Sequence, residues 1–392
     1  MAASISDSEF SITRGGLLYR LLIKIGIIRP EKKSAGAQII FFIGLCYLPL
    51  LLLSLWEGYH WDSGIDVPFL KEFATAIRFL LVIPLLIIAE AIVDKRVKLT
   101  LGQFERSGMI TSENRTKFES SKIQADQWTE SIWADVVIIL LIVLNLLIKN
   151  KINTVDLTTW AFPYAEDPYR HSLAGNWAAF VSFPVFQFIL WRWIWRWVIW
   201  SRMLRMISRA DLSIIPTHPD RSGGLGFLGE PPMPFSIFTL GLSLLFSAIL
   251  AERVIFQGLF LQDHYGVIIL FALICILINL LPLHSFIQPL NAARIKGIYT
   301  YHALIARHHR AFDRKWIQDK DQAQEEILGS PDASSAADIQ AVYEAVKKMT
   351  VFPFDLKTMA ATLGIVLFPL LFVFALQIPL AEVLKKLIGI LF

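Results

Sequence analysis

Two arginines, Arg192 and Arg196, stand one helical turn apart inside an apolar segment rich in tryptophan. A cation at membrane depth is rare, and it is retained where it meets a carboxylate, a polar ligand or a wet cavity. The chemistry that these two side chains could perform is therefore anion binding or a structural ion pair. The competing interpretation is that both guanidiniums reach the membrane interface, where tryptophan is enriched and cation–π contact is available.

Charges in other apolar segments supply partners for these arginines. At about 1.5 Å of rise per residue, Glu90 lies at the depth of Arg192 and Arg196, near one membrane face. Arg78 and Glu252 share a depth near the opposite face. We therefore expect two pairings, Glu90 with Arg192 or Arg196, and Arg78 with Glu252. As a hypothesis, a solute path is lined by Arg192, Arg196, Glu90, Arg78, Glu252 and His284.

A loop rich in glycine and proline, residues 216–234, follows the tryptophan segment. Its stretch from Gly224 to Gly229 matches G-x-G-x-x-G, but no strand precedes it and no helix can open at the prolines that follow, which excludes a dinucleotide site. The backbone N–H groups of such glycines can form a nest for an anion. A turn that packs against the bundle is the simpler alternative. The expected anion contacts are His218, Asp220, Arg221, Gly223, Gly224 and Gly226.

Two clusters of metal-ligand types occur, and we predict a metal at neither. His218 and Asp220 supply only two ligands. His302, His309 and Asp313 recur at helical spacing without a recognised zinc pattern. A basic helix lying against anionic lipid headgroups explains that segment better. No cofactor motif is present, so we expect no cofactor.

Composition places these residues in a membrane. The chain has 392 residues, of which 55% are hydrophobic and 18% charged, with a mean hydropathy of +0.53. The apolar residues are concentrated in blocks of about 20, the length of a transmembrane helix. The sequence predicts an all-α polytopic bundle of about seven spans with a small cytoplasmic helical portion. The net charge of +4 is small, and we expect no nucleic-acid partner.

The predicted segments follow from the alternation of apolar blocks and polar stretches. The seventh apolar block, residues 356–380, contains two prolines and either crosses the membrane or re-enters it. In order, the predicted segments are an N-terminal segment with an interfacial amphipathic helix (1–37), spans one and two (38–93), a helical hairpin (94–131), spans three to six with the 216–234 loop (132–290), a helical segment (291–355), and the seventh block with an amphipathic tail (356–392).

Orientation follows from Lys and Arg. The N-terminal segment and the three alternate polar stretches carry six, seven, four and nine of them, whereas the intervening loops carry one, three and none. Because cytoplasmic loops are enriched in these residues, we expect a cytoplasmic N-terminus in a plasma (inner) membrane.

Three segments, one in the 216–234 loop and two in the predicted helical segment 291–355, resemble a family. The loop from His218 to Leu228 and the segments Leu328 to Asp332 and Val351 to Asp355 resemble those of uncharacterised bacterial multi-pass membrane proteins. The resemblance implies a bacterial inner-membrane location and no particular activity.

Three classes of function remain open. The leading hypothesis is a channel or transporter for a small, anionic solute or ion, with the loop at its mouth. The first alternative is a scaffold or sensor whose basic helix at 292–321 docks partners. The second is a membrane-embedded enzyme, the less favoured class, with His218, Asp220, Glu90 or His284 at one face. A homo-oligomer is compatible with each.

Overall fold

The chain is a bundle of helices. In the computed structural model the described residues are 10–29, 34–61, 64–149, 157–164, 166–167, 170–230, 233–318 and 330–377. Within them we find ten helices and no β-strand, apart from one isolated bridge between Val67 and Thr159. The helices are α1 (Gly16–Lys24), α2 (Ala35–Glu57), α3 (Phe73–Arg106), α4 (Arg115–Thr129), α5 (Ile132–Lys149), α6 (Leu173–Ser208), α7 (Ser236–Gln257), α8 (Leu261–Gln318), α9 (Pro331–Lys347) and α10 (Leu356–Gln377).

The helix lengths confirm the predicted class. Six helices of the described part are long and apolar enough to cross a membrane, and a seventh span results if α4 and α5, bent by 44° at their junction, are taken together. Helix α10 is one continuous helix with Pro369 inside it, not the two arms of a re-entrant hairpin. The predicted tail at 381–392 lies outside the described residues. Which side of the membrane holds the N-terminus stays a prediction.

Prolines interrupt the spans, and tryptophans of α6 compensate for them. Proline has no N–H, so it leaves the carbonyl four residues earlier without its helical partner. Pro49 frees Leu45 O in this way, and the Trp177 indole N–H donates to it at 3.1 Å. Pro282 frees Ile278 O, which accepts from the Trp197 indole at 2.6 Å. The tryptophans of α6 therefore fasten it to α2 and α8.

Helix α6 is the element that positions the charges. It contacts α2, α4, α5 and the break in α8. Its own wide turn at Ala178–Ser182 precedes Pro184, just as the wide turn at Ile77–Val82 of α3 precedes Pro84. A turn of this kind makes room for the proline ring next to the preceding backbone. One long face of α6 is consequently buried, while α3, α5 and the N-terminal residues approach it.

The polar part of the chain after the break in α8 forms a helical pair. Helix α8 continues past its break as Ile287–Asp313, and α9 packs against it. The His302 ring lies 5.9 Å from that of Tyr343, and the Ser335 hydroxyl is 3.3 Å from His308 Nε2. His302, one of the three residues considered as a metal cluster, thus lies beside α9, and in the described part of the chain no group of three His, Cys, Asp or Glu side chains could hold a metal ion.

Gly175 is fixed by a close approach that a substitution can test. A Cβ at this position would clash with Ala161 O and lie 3.0 Å from Ala161 Cα. We predict that Gly175→Ala lowers the free energy of unfolding by about 1–3 kcal/mol, the usual cost of overpacking. Gly44→Ala, in α2 with nothing within 4 Å of its Cβ, is the matched control and should be neutral or stabilising. Thermal unfolding in mild detergent checks both, and equal melting temperatures would contradict the close approach.

Candidate functional site

The two arginines of the tryptophan segment are buried in the bundle. The exposed fraction is 4% for Arg192 and 6% for Arg196, so both guanidiniums are covered by other parts of the protein. Because their spacing is four residues, both project from the same face of α6. Burial of two like charges one turn apart is tolerated only where acceptors surround them.

Each arginine has its own carboxylate. Arg196 Nη2 lies 2.7 Å from Glu90 Oε1 of α3, and the predicted pairing of these two residues is therefore present. Arg192 Nη1 lies 3.2 Å from Asp135 Oδ1 of α5. Of the two arginines expected as partners of Glu90, Arg196 is the one that pairs with it, because α5 approaches α6 at Arg192 and brings a second carboxylate to that residue.

Residues 10–24, which we call the N-terminal strap, close this cluster. The carbonyl of Gly15 accepts a hydrogen bond from Arg192 Nη2 at 2.9 Å, and that of Thr13 accepts one from Arg196 Nη2 at 3.2 Å. The Leu17 N–H, in the first turn of α1, donates to Asp135 Oδ2 at 2.6 Å. Each guanidinium therefore contacts one carboxylate and one backbone carbonyl.

Two glycines allow the strap to come this close. Gly15 and Gly16 have φ values of 136° and 82°, which residues with a side chain rarely adopt. A Cβ at Gly16 would lie 2.6 Å from Arg192 Nη2. The strap backbone can therefore lie on the guanidinium only because position 16 carries no side chain.

Helix α1 combines this contact with the expected exposure. Leu17, Leu21 and Ile25 are 45%, 50% and 51% exposed, while Leu22 is 3% exposed. The exposed apolar row fits the predicted interfacial helix. The sequence pattern did not indicate that the start of the same helix lies on buried charges.

The space beside the charges is small. The cavity lined by Glu90, Arg192, Arg196 and Gln38 has a volume of about 30 Å³, roughly that of one water molecule. Arg196 Nε is buried without a hydrogen-bond partner in the described structure, and its guanidinium lies 5.1 Å from the Trp193 ring centre. The cluster is a closed set of ion pairs.

The charges at the other end of the bundle do not form the expected ion pair. The guanidinium of Arg78 stacks on Phe183, 4.8 Å from its ring centre. Glu252 Oε1 instead accepts the Ala74 N–H at 2.7 Å, at the start of α3. Glu72 and Glu252 are the carboxylates that act electrostatically on Arg78, but no ion-pair contact involves Arg78 in the described structure. Arg78 thus contacts aromatic rings of α6 in place of the expected carboxylate.

The 216–234 loop does form an anion nest, and Asp220 fills it. The Asp220 carboxylate accepts backbone N–H groups from Ser222 at 2.8 Å, Gly224 at 3.0 Å and Gly226 at 2.8 Å. His218 Nδ1 lies 2.8 Å from the same carboxylate. Burial on its own raises the pKa of Asp220, but these hydrogen bonds outweigh burial and hold the pKa below its ordinary value. The nest expected for an external anion is occupied by the loop itself.

The loop and the segment before α10 form one unit. The Arg221 carbonyl accepts from the Thr350 N–H at 2.6 Å, and the Gly229 carbonyl accepts from the Thr358 hydroxyl at 2.6 Å. Gly223 and Gly224 have φ values of 63° and 92°, so a side chain would be strained at either position. Two of the stretches that carry the resemblance, 218–228 and 351–355, thus contact each other and shape a structural turn.

His284 stands apart from the buried charges. It lines a cavity of about 630 Å³ between α6 and the break in α8, together with Arg205, Arg209 and Gln288. Asn279, which is in the same helix as His284, donates hydrogen bonds to Thr239 Oγ1 at 3.3 Å and to Cys275 O at 3.0 Å. The solute path expected through His284 and Arg196 is therefore split between two places.

Comparison with family models, with curated proteins and with solved structures finds no match to this chain. Function must be argued from the geometry alone.

The residues considered for a membrane-embedded enzyme do not come together in the structure. Glu90 is paired inside the cluster under the strap, Asp220 is held by its own loop, and His284 lines the separate cavity. These groups belong to three different surroundings, so they share no reactive position.

The sequence missed Asp135 and the strap contacts. Asp135 stands near the start of the third span, and the depth argument that linked Glu90 to Arg196 also places it beside Arg192. That signal was available. The carbonyls of Thr13 and Gly15 carry no sequence signal, since every residue has a carbonyl; only the pair Gly15-Gly16 hinted at a close backbone approach.

The ion pairs predict a specific pattern of coupling. In a double-mutant cycle, Glu90→Gln and Arg196→Met should each cost about 3–5 kcal/mol, because each leaves a buried group without its partner. The double variant should cost less than the sum. Measured by denaturant unfolding in detergent, the cycle of Glu90→Gln with Arg192→Met should show weaker coupling. Equal coupling in the two cycles would contradict the assignment of partners.

The loop predicts a pH dependence. Because the folded pKa of Asp220 is lowered, its stabilisation is complete above the unfolded value of about 3.9 and is lost as pH falls through the folded pKa. Asp220→Asn should cost about 1–3 kcal/mol at pH 7, and the difference from the native protein should shrink below about pH 4. Asp263→Asn, in an exposed turn, is the control. An Asp220 effect that does not change with pH would refute the nest.

Proposed function

We propose that this chain is a non-catalytic membrane scaffold or sensor, and not an open path for a solute. The observation that supports it is the closed state of the intramembrane charges: Arg192 and Arg196 are each paired with a carboxylate and each covered by a strap carbonyl. The larger cavities, of about 280 and 630 Å³, share none of the residues that line the small one beside these arginines.

Buried apolar side chains fill the region of α3 between Arg78 and Glu90, which also favours this proposal. Arg78 and Glu90 are separated by roughly 18 Å along α3. Between them, Phe79, Val82 and Ile83 are no more than 1% exposed. A conducted ion would meet packed apolar side chains there, at a high desolvation cost.

The strap gives the proposed sensor its moving part. Buried ion pairs contribute little net stability compared with apolar packing, and their best-established use is to specify one arrangement over others. Here they hold α3, α5, α6 and the strap in one register. Displacing the strap would leave guanidinium N–H groups without acceptors. The docked strap therefore differs in free energy from a released strap.

A basic face of α8 supplies the docking surface of the proposal. Lys296, Arg307 and Arg310 are exposed and share one side of the helix by their spacing. Positive-inside orientation places this face in the cytoplasm. An acidic surface is the partner chemistry that it fits, offered by a protein or by anionic lipid headgroups.

A flux assay with two matched variants tests the proposal. Gly16→Val places a side chain against Arg192, whereas Gly26→Val imposes the same backbone strain, at a φ of 77°, with nothing within 4 Å. Faster trypsin cleavage near Arg14 in Gly16→Val should report a displaced strap. We expect no chloride or phosphate flux above empty liposomes for the native protein or either variant.

Two results would overturn the proposal. Saturable flux through the native protein that Arg196→Ala abolishes would establish a solute path. Flux through Gly16→Val alone, with Gly26→Val silent, would make the strap the gate of a channel.

A further inference from the structure

A second set of cations, outside the buried cluster, surrounds an open cavity. The cavity has a volume of about 630 Å³ and lies between the last turns of α6 and the break in α8. Arg205 lies in the last turn of α6 and Arg209 directly follows that helix. His284 lies in the 3₁₀ break of α8, and Gln288 lies in the first turn after it.

The break in α8 makes this cavity. The helix tightens to a 3₁₀ turn at Leu281–Phe286, which contains Pro282. The carbonyl that Pro282 frees, Ile278 O, is held by Trp197 of α6 at 2.6 Å, and the Phe286 ring stacks on Phe104 at 6.0 Å. These contacts anchor the break against α6 and α3. Pro289 also lines the cavity.

The lining is rich in donors, and among the residues that the structure describes it includes no carboxylate. Its hydroxyls are already committed: Ser208 donates to Arg205 O at 2.9 Å, and Ser285 donates to Pro282 O at 3.0 Å. Among the described residues, the side chains of Arg205 and Arg209 make no ion pair. Two guanidiniums, an imidazole and an amide thus face one space without an anion of the protein among them.

We propose that this cavity binds the phosphate group of a monoester or diester ligand, with Arg205 and Arg209 as its principal contacts and His284 and Gln288 as additional donors. Guanidinium presents paired N–H groups that match phosphate oxygens, which favours phosphate over a smaller halide. The volume leaves room for an organic substituent. A phospholipid headgroup and a soluble phosphate are the two sources of this chemistry.

The buried arginines cannot serve this ligand, because they are paired and covered. The donors proposed for an anion thus lie about 2.5 to 3.6 helical turns beyond Arg196, at the end of α6 rather than inside the span. This site stands independently of the proposed scaffold or sensor role, since either a transporter or a sensor could carry it.

Calorimetric titration of the full-length protein in neutral detergent tests the site. The probes are dioctanoyl phosphatidic acid, dioctanoylglycerol as the same lipid without phosphate, and inorganic phosphate. We expect saturable binding of the phosphatidic acid and none of the dioctanoylglycerol. The Arg205→Gln/Arg209→Gln double variant should weaken binding by on the order of tenfold or more.

Arg202→Gln is the matched control. Arg202 lies on the same helix and is exposed, but its guanidinium stacks on Trp128, 4.3 Å from the ring centre. This variant should change affinity by less than about twofold. If the double variant does not fold, Gln288→Leu, a single uncharged change in the lining, should weaken binding by about threefold.

The outcomes separate the sources and the alternatives. Binding of inorganic phosphate with the same arginine dependence would assign a soluble phosphate ligand, and binding of phosphatidic acid alone would assign a lipid headgroup; either supports the site. No saturable binding of either phosphate probe would overturn it. An equal loss in Arg202→Gln would also overturn it, since general surface charge would then explain the affinity.

Discussion

The structure depends on the desolvation of two guanidiniums. Arg192 and Arg196 lie within a membrane helix, and a charge removed from water must be matched by partners nearby. Glu90 on α3 and Asp135 on α5 supply the counter-charges. The strap adds one backbone carbonyl to each guanidinium. The relative positions of three spans and the N-terminus therefore follow from one requirement, that each of these buried cations meets a carboxylate and a carbonyl.

A second constraint acts through proline. Each proline within a span frees a carbonyl, and Trp177 and Trp197 donate to two of them. The tryptophan-rich sequence of α6 is thus explained by hydrogen bonding to its neighbours as well as by the membrane interface. The same break at Pro282 opens the cavity lined by Arg205 and His284, so one backbone irregularity both fastens two helices and creates a place for a ligand.

Hydropathy predicted the spans because the hydrocarbon core demands long apolar helices, and these lie where the blocks of the sequence placed them. The depth argument found Glu90 opposite Arg196 and would have found Asp135 had it been applied to the third span. It failed for Arg78, since depth does not reveal that this guanidinium stacks on an aromatic ring of α6. It also failed for the loop, where Asp220 occupies the nest that the glycines offered. The spacing of the residues does not reveal that a loop binds its own carboxylate in this way.

Hydrogen exchange at one amide tests the central claim most directly. The first N–H groups of a helix have no intrahelical acceptor and exchange rapidly. The Leu17 N–H lies in the first turn of α1 but donates to buried Asp135. We predict that this amide exchanges at least about tenfold more slowly than its neighbour Leu18, and that Asp135→Asn removes most of the difference. Equal, rapid exchange at both amides in the native protein would show that the strap does not close the charge cluster.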